Sequence, residues 1–306
     1  MNWQVLPSNQ DASVNHVLAQ PDGGHWEARL VQRVDEYFIC YLSSHTGCAH
    51  SCRFCHLTAT GQVMMAPATV EDYLEQADQV LATYRHRLAQ GQPPAKRLHY
   101  NFMARGEALS NPHFLKHSNE LFEKLGARAE SLGVDPKFLV STIFPRDFDG
   151  DLSAILADPR AVPYYSLYSV NPRFRKRWLP KSHDPKHALE QLAAFQAGTD
   201  RKVVLHWAFI AGENDSMEDV HATLDAVGEA GLKAKFNLVR YNPHDSRHGV
   251  EPDEAHLDAV FAAINERMGL PGSRIVPRVG FDVKASCGMF IGSRPGRTIP
   301  AQVVGD

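Results

Sequence analysis

Apolar positions along the chain repeat with two periods, and the two alternate. Residues 69–88 (TVEDYLEQADQVLATYRHRL) carry apolar side chains at helical spacing. Residues 111–133 open on Asn-Pro and close on Gly133, which predicts a second helix. Residues 184–198 end at Gly198, 216–231 begin with a Ser-x-x-Asp capping box, and 253–269 repeat the pattern. Between them lie β-rich stretches at 97–104, 137–142, 164–170, 202–210, 234–241 and 274–279. Strands alternating with helices of this length predict βαβ units on a parallel sheet. About six units, with polar and glycine-containing motifs just after strands, fit an α/β fold of the partial (β/α)6, TIM-like barrel kind, with its chemistry at the C-terminal strand ends. A doubly wound open sheet has the same periodicity and stays open as an alternative.

Residues 1–36 stand outside this rhythm. They read as extended segments with a turn at Asp22-Gly23, and predict an N-terminal β extension ahead of a barrel spanning 37–290. Residues 291–306 read as a C-terminal tail. The chain has 306 residues, of which 43% are hydrophobic and 22% charged, enough for the core of a globular enzyme. No apolar run is long enough to cross a bilayer, and the N-terminus lacks a basic start followed by an apolar block, so a cytoplasmic location without membrane contact is expected. The net charge of −3 argues against a globally basic coat for nucleic acid. Locally, residues 171–183 (NPRFRKRWLPKSH) interleave Arg173, Arg175, Lys176, Arg177 and Lys181 with Phe174 and Trp178. Such a mixture can hold phosphates and stack bases, or be a solvated loop before a helix.

Three of the five cysteines fall as C-x-x-x-C-x-x-C at Cys48, Cys52 and Cys55. In a reducing compartment, clustered cysteines serve metals or catalysis more often than disulfides. Three thiolates can hold three irons of a [4Fe–4S] cube and leave the fourth open to an outside ligand, whereas structural zinc and closed clusters take four protein ligands. A zinc site completed by His45, His50 or His56 is the alternative at this point.

With Phe54 before the last cysteine, the segment SSHTGCAHSCRFC resembles the cluster loop of the radical S-adenosylmethionine (SAM) superfamily. More narrowly, the chain is similar to the radical SAM adenine-C2 RNA methyltransferases and their C8-methylating relatives, from about Glu27 to Phe290. Six motifs occur in the family's order. The resemblance implies a [4Fe–4S] cluster on Cys48, Cys52 and Cys55. It also implies SAM held by Gly106 and Glu107 of NFMARGEALSNP, Ser141 of LVST, Ser166, Leu167 and Tyr168 of YSLY, and Asn242 of NLVRYNPHD. Cys287 of KASCGMF takes the place of the cysteine that becomes S-methylated.

What the resemblance implies is a two-stage reaction. One SAM methylates Cys287, and a second is cleaved to a 5′-deoxyadenosyl radical that activates the S-methyl group for addition to an adenine carbon. A glutamate, by position Glu27, then accepts the ring proton, its pKa raised beside Trp26. A second cysteine, here Cys40, displaces Cys287 as a disulfide. The implied partners are RNA or another nucleic-acid or nucleotide substrate and an electron donor such as flavodoxin.

The chain departs from the family in three places. The resolving cysteine aligns with Tyr41, so Cys40 is one residue out and on the opposite face unless a bulge re-aims it. Arg105 stands at an apolar position, and Ala108 at a proline. Only 36 residues precede the first barrel strand, where the family carries a helical RNA-binding domain. A diverged radical SAM enzyme acting on another nucleic acid, nucleotide or small molecule without methyl transfer is therefore the alternative function, and a non-catalytic, metal-stabilised nucleic-acid-binding protein a third.

Overall fold

The computed structural model describes residues 2–268 and 272–292. Its strands follow one another in chain order within one sheet: β1 (Gln4–Pro7), β2 (Val14–Ala19), β3 (His25–Val34), β4 (Tyr37–Tyr41), β5 (Arg97–Asn101), β6 (Asp135–Thr142), β7 (Ala161–Ser166), β8 (Val203–Trp207), β9 (Ala234–Val239) and β10 (Arg274–Val276). The first four form an antiparallel meander, and from β4 to β10 every neighbour is parallel. The crossovers are helical. They comprise α1 (His56–Ala59) and α2 (Val70–Ala89), α3 (Pro112–Glu130), α4 (Leu152–Ile155), α5 (Pro172–Trp178) and α6 (Pro185–Gln196), α7 (Met217–Glu229), and α8 (Glu254–Met268). Six β/α units from β4 to β9 thus make the expected partial barrel, which β10 extends by a seventh parallel strand.

Strand parity builds both faces of the wall. In β4, Phe38 and Cys40 are buried, Phe38 stacking on Tyr84 of α2 at 3.9 Å, while Tyr37, Ile39 and Tyr41 line the lumen. Leu98, Tyr100, Phe138, Val140, Leu205, Phe236 and Leu238 continue the outward apolar face under the helices. The helices start where the sequence caps them. Thr69 Oγ1 accepts from Asp72 N while the Asp72 carboxylate accepts from Thr69 N, a reciprocal box at the head of α2. The Asn111 side-chain oxygen caps α3, and its amide donates to Ser44 O and Ala68 O, fixing that helix to the loop leaving β4.

Two expectations shift. The strand expected at 164–170 is β7, three residues earlier, because Tyr168 takes a left-handed backbone (φ 59°) that turns the chain out of the ladder. The basic run 171–183 is no open loop. Residues 172–178 form α5, capped by Asn171, with Phe174 and Trp178 buried. Those rings are therefore not free to stack on bases.

Past β10 the chain returns across the N-terminal hairpin. Asp282 accepts from Ser8 Oγ (2.7 Å) and Asn9 N (2.8 Å), Asp11 accepts from Gly280 N (2.6 Å), and Asn15 Nδ2 donates to Val283 O (3.0 Å). These bonds hold residues 280–283 against the hairpin. Of the expected tail, residues 293–306 lie outside the described residues.

Candidate active site

At the C-terminal strand ends a cavity of about 120 Å3 is lined by Cys48, Cys52, Cys55, Gly106, Glu107, Ser141, Ser166, Tyr168, Asn242 and Cys287. Residues expected from separate motifs thus meet in one place. A second cavity, about 350 Å3, fills the lumen beneath it, and Cys287, Asn242 and His206 line both.

The cysteine loop is shaped by its backbone. Cys55 N donates to Cys52 O (3.0 Å), Cys48 N to Gln62 O (2.9 Å), and Arg53 N to Trp178 O (3.0 Å). Phe54 stacks on Tyr168 (4.5 Å, 11°), whose ring continues a stack through Phe174 to Trp178. The aromatic residue before the last cysteine therefore pins the loop to α5. Burial, and then the neighbouring thiols, push Cys52 well above its ordinary pKa; burial followed by Cys55 takes Cys48 up to about 12, and burial takes Cys55 to about 11. Such thiols ionise only when a cationic centre compensates them. A single zinc ion with bonds of about 2.3 Å would draw its sulfurs within about 4 Å of one another. Among the described residues, no trio that includes a thiol gathers its ligand atoms within 4.8 Å; the trio that does is His244, Asp245 and His248. His45 and His56 have protein partners of their own, Glu107 N and Asn242 O. Both ring nitrogens of His50, which lines the same cavity, have none, so the case against zinc rests on the spread of the ligand atoms. The donor set fits a polynuclear cluster better than one ion.

Glu107 follows a glycine that nothing else can replace without a shift. Gly106 has φ +83°, and a Cβ there would meet His45 Nδ1 at 2.5 Å and His45 N at 2.7 Å. Glu107 accepts from Ile143 N (3.0 Å) and Leu109 N (3.2 Å), yet burial still raises its pKa to about 7. A buried carboxylate with this balance favours a cationic partner in the cavity. Ser141 Oγ lies 3.3 Å from Asn101 Oδ1, and Ser166 and Tyr168 face the cavity from the end of β7.

Cys287 is exposed into the cavities that it lines while protein surrounds it, so burial raises its pKa against the pull of Arg29 and Arg33. Asn242 Nδ2 donates to Cys287 O (2.9 Å), and Arg278 Nε donates to Asn242 Oδ1 (2.8 Å), which fixes the loop.

Three expected residues are placed elsewhere. Cys40 is fully buried on the helix-facing side of β4, and the one irregularity in the β3–β4 ladder lies at Val31/Val34, too far along to re-aim it. Tyr41 takes the lumen side instead. Leu167 alternates outward between Ser166 and Tyr168, with its N–H donating to His206 O and its carbonyl accepting from Arg175. Glu27 lines neither cavity. Burial would raise its pKa, but Arg29 and Arg105, with the Asn15 amide, hold it below the ordinary value, the reverse of the rise expected beside Trp26.

Sequence reasoning missed what Glu27 does instead. Its carboxylate accepts from Asn15 Nδ2 (2.7 Å), Arg29 Nη2 (3.0 Å) and Arg105 Nε (2.7 Å), all essentially buried. Arg29 also donates to Ala285 O, Ser286 O and Met289 O, and Arg105 to Ile291 O. Both guanidiniums lie over the Phe290 ring, at 4.7 and 5.7 Å. The trio clamps the Cys287 loop to β3. Arg105, anomalous in the motif, is thereby explained. The two-residue spacing of Glu27 and Arg29 on one strand face was the available signal.

The chain matches no protein-family model. It is 28% identical to the probable dual-specificity RNA methyltransferase RlmN of Parasynechococcus marenigrum, covering 94% of this chain and 79% of that one. It is 29% identical to the corresponding Synechococcus sp. protein at the same coverage, and 26% identical to the dual-specificity RNA methyltransferase RlmN of Helicobacter hepaticus, over 92% and 75%. A radical SAM methyltransferase structure from Sphaerobacter thermophilus superimposes with a TM-score of 0.74 over 94% of this chain and 79% of that one, at 21% identity, and shares the fold.

Proposed function

We infer that this relative of the RlmN methyltransferases is itself a radical SAM methyltransferase, adding a methyl group to an adenine ring carbon of RNA with Cys287 as the carrier. The observation that supports it most is that Cys287 lines the same cavity as the three motif thiols and Glu107. Cys48, Cys52 and Cys55 would hold a [4Fe–4S] cluster and Glu107 the amino group of SAM, the pair supplying a 5′-deoxyadenosyl radical when bound and reduced. Around that chemistry the chain's own groups position. Asn242 sets the Cys287 carbonyl, the Glu27–Arg29–Arg105 clamp holds the loop behind it, and the Phe54–Tyr168 stack holds the cysteine loop opposite. A low-potential donor such as flavodoxin and a cytoplasmic location belong to the same reading, supported by five free thiols. Among the described residues, no helix is long and apolar enough to cross a membrane.

A second reading draws on Cys40. With that thiol facing the helices, no cysteine beyond the motif and Cys287 reaches the cavity, which favours radical SAM chemistry without release through a disulfide, on a nucleotide or another small substrate. Anaerobic reconstitution with SAM bearing a deuterated methyl group separates the two. Label on Cys287 and in RNA, both lost in Cys287→Ala while 5′-deoxyadenosine still forms, supports methyl transfer. Cleavage of SAM with label in neither protein nor RNA supports the second reading.

A further inference from the structure

The lumen has another mouth, at the N-terminal ends of the strands, away from the thiols and Cys287. Six cations line it: Arg33 near the end of β3, Arg97 at the start of β5, Lys137 in β6, Lys202 just before β8, Lys235 in β9 and Arg274 at the start of β10. Strand parity puts them there. In β5 the first, third and fifth residues, Arg97, His99 and Asn101, face the lumen, whereas Leu98 and Tyr100 are fully buried under the helices. Lys137 precedes Leu139, Lys235 precedes Asn237, and Arg274 precedes Val276 in the same way. Strand after strand delivers a cation to the same layer, in a chain whose net charge is −3.

No ion pair among the described residues neutralises that layer, and the attraction between Asp11 and Arg33 acts at longer range. Among the described residues, none of the six takes part in an ion pair, and the carboxylates at this end, Asp35, Glu36, Asp135 and Asp200, pair with none of them. Arg274 Nη1 donates to the Tyr37 hydroxyl (3.0 Å), and Arg33 lies beside the Tyr37 and Tyr41 hydroxyls. Otherwise the cations face one another. Burial, then Lys202 and Arg97, lower the pKa of Lys137; burial, then Arg274, Lys202 and Lys137, lower that of Lys235. Further up the lumen Asn237, 4% exposed, leaves its Oδ1 without a partner.

Like charges converging on one volume, Arg33, Lys137 and Lys235 partly buried and Arg97, Lys202 and Arg274 exposed, oppose folding through repulsion, and the partly buried three through desolvation as well. They are accounted for when the counter-charge comes from outside. Because they converge on a cavity of about 350 Å3 instead of spreading along a surface, they match a compact polyanion and not an extended strand. We propose that the N-terminal mouth of the barrel binds a polyphosphate, carried on a nucleotide or free, gripped by Arg97, Lys137, Lys202 and Lys235. The proposal does not rest on methyl transfer.

Isothermal titration of the full chain with inorganic tripolyphosphate, ATP and adenosine tests it. The variants are Lys137→Gln/Lys235→Gln and, on exposed side chains that leave the wall intact, Arg97→Gln/Lys202→Gln. One tripolyphosphate or ATP binds per chain and adenosine does not. Each double variant weakens binding about 100-fold, at about tenfold per charge-assisted contact removed. ATP binding more tightly than tripolyphosphate identifies a nucleotide ligand, and equal affinity identifies the phosphates alone. The proposal is overturned if neither polyphosphate binds, if adenosine matches ATP, or if Arg97→Gln/Lys202→Gln binds as the wild type does. It is equally overturned if single-stranded RNA binds better than tripolyphosphate with affinity that grows with length.

Discussion

Replacing Glu27 by Gln keeps the shape of the clamp and removes its charge. The carboxylate is 0% exposed between Arg29 and Arg105, themselves 2% and 1% exposed. The amide keeps one acceptor oxygen and turns a donor toward guanidiniums and the Asn15 amide, which are donors too. Hydrogen bonds to charged groups contribute about 1.5–3 kcal/mol each, and at least one is lost outright while two buried guanidiniums lose their counter-ion. Breaking a buried ion pair by removing one partner costs about 3–5 kcal/mol, and we expect Glu27→Gln to fall in that range. Urea unfolding followed by circular dichroism should show the midpoint falling with an unchanged slope.

The pH dependence gives a second reading of the same change. Glu27 titrates below its ordinary value of 4.5 in the folded chain, so its contribution is fully present above that pH and is lost as pH falls through the lower folded value. Wild-type stability should therefore decline on acidification below about 4.5, and the variant should show less of that decline. A variant as stable as the wild type to within about 1 kcal/mol that had lost only methyl transfer would refute the reasoning, and would return Glu27 to the role of proton acceptor.

Cys40→Ala should leave SAM cleavage and labelling of Cys287 unchanged, at a cost of about 1–2 kcal/mol for the small cavity left among core side chains; label trapped on Cys287 without product would mean that Cys40 does resolve the intermediate. Gly106→Ala forces a side chain onto a φ of +83° against His45, and should cost more than about 1 kcal/mol in a melting experiment and weaken SAM binding measured by titration. Cys287→Ala should abolish methyl transfer while reconstituting the same iron content as the wild type; loss of iron would make Cys287 a ligand.

The barrel was legible because helix and strand periods differ and the long crossover helices α2 and α3 carry their own start signals at Thr69 and Asn111. The cysteine loop, the Gly106–Glu107 pair and Cys287 were legible because each is a short local pattern. What escaped depends on contacts distant in sequence. Arg105 looked like a departure until Glu27, 78 positions earlier, closed on it. The face taken by Cys40 follows from the register of β4, and a one-residue offset decides it. The basic run at 171–183 misled because a helix sorts its residues. Arg175, Phe174 and Trp178 turn inward, and Arg173, Lys176 and Arg177 stay outside. The cationic mouth was invisible for the opposite reason, its members being single residues scattered over six strands or strand ends.

The most direct test of the central claim is the electron paramagnetic resonance spectrum of the anaerobically reconstituted, reduced protein, recorded before and after SAM is added. With three thiolates on the cluster, about four irons should be found per chain and the signal should shift on addition, because SAM occupies the remaining iron. A spectrum that SAM leaves untouched, from a metal centre already saturated by four protein side chains, would contradict it.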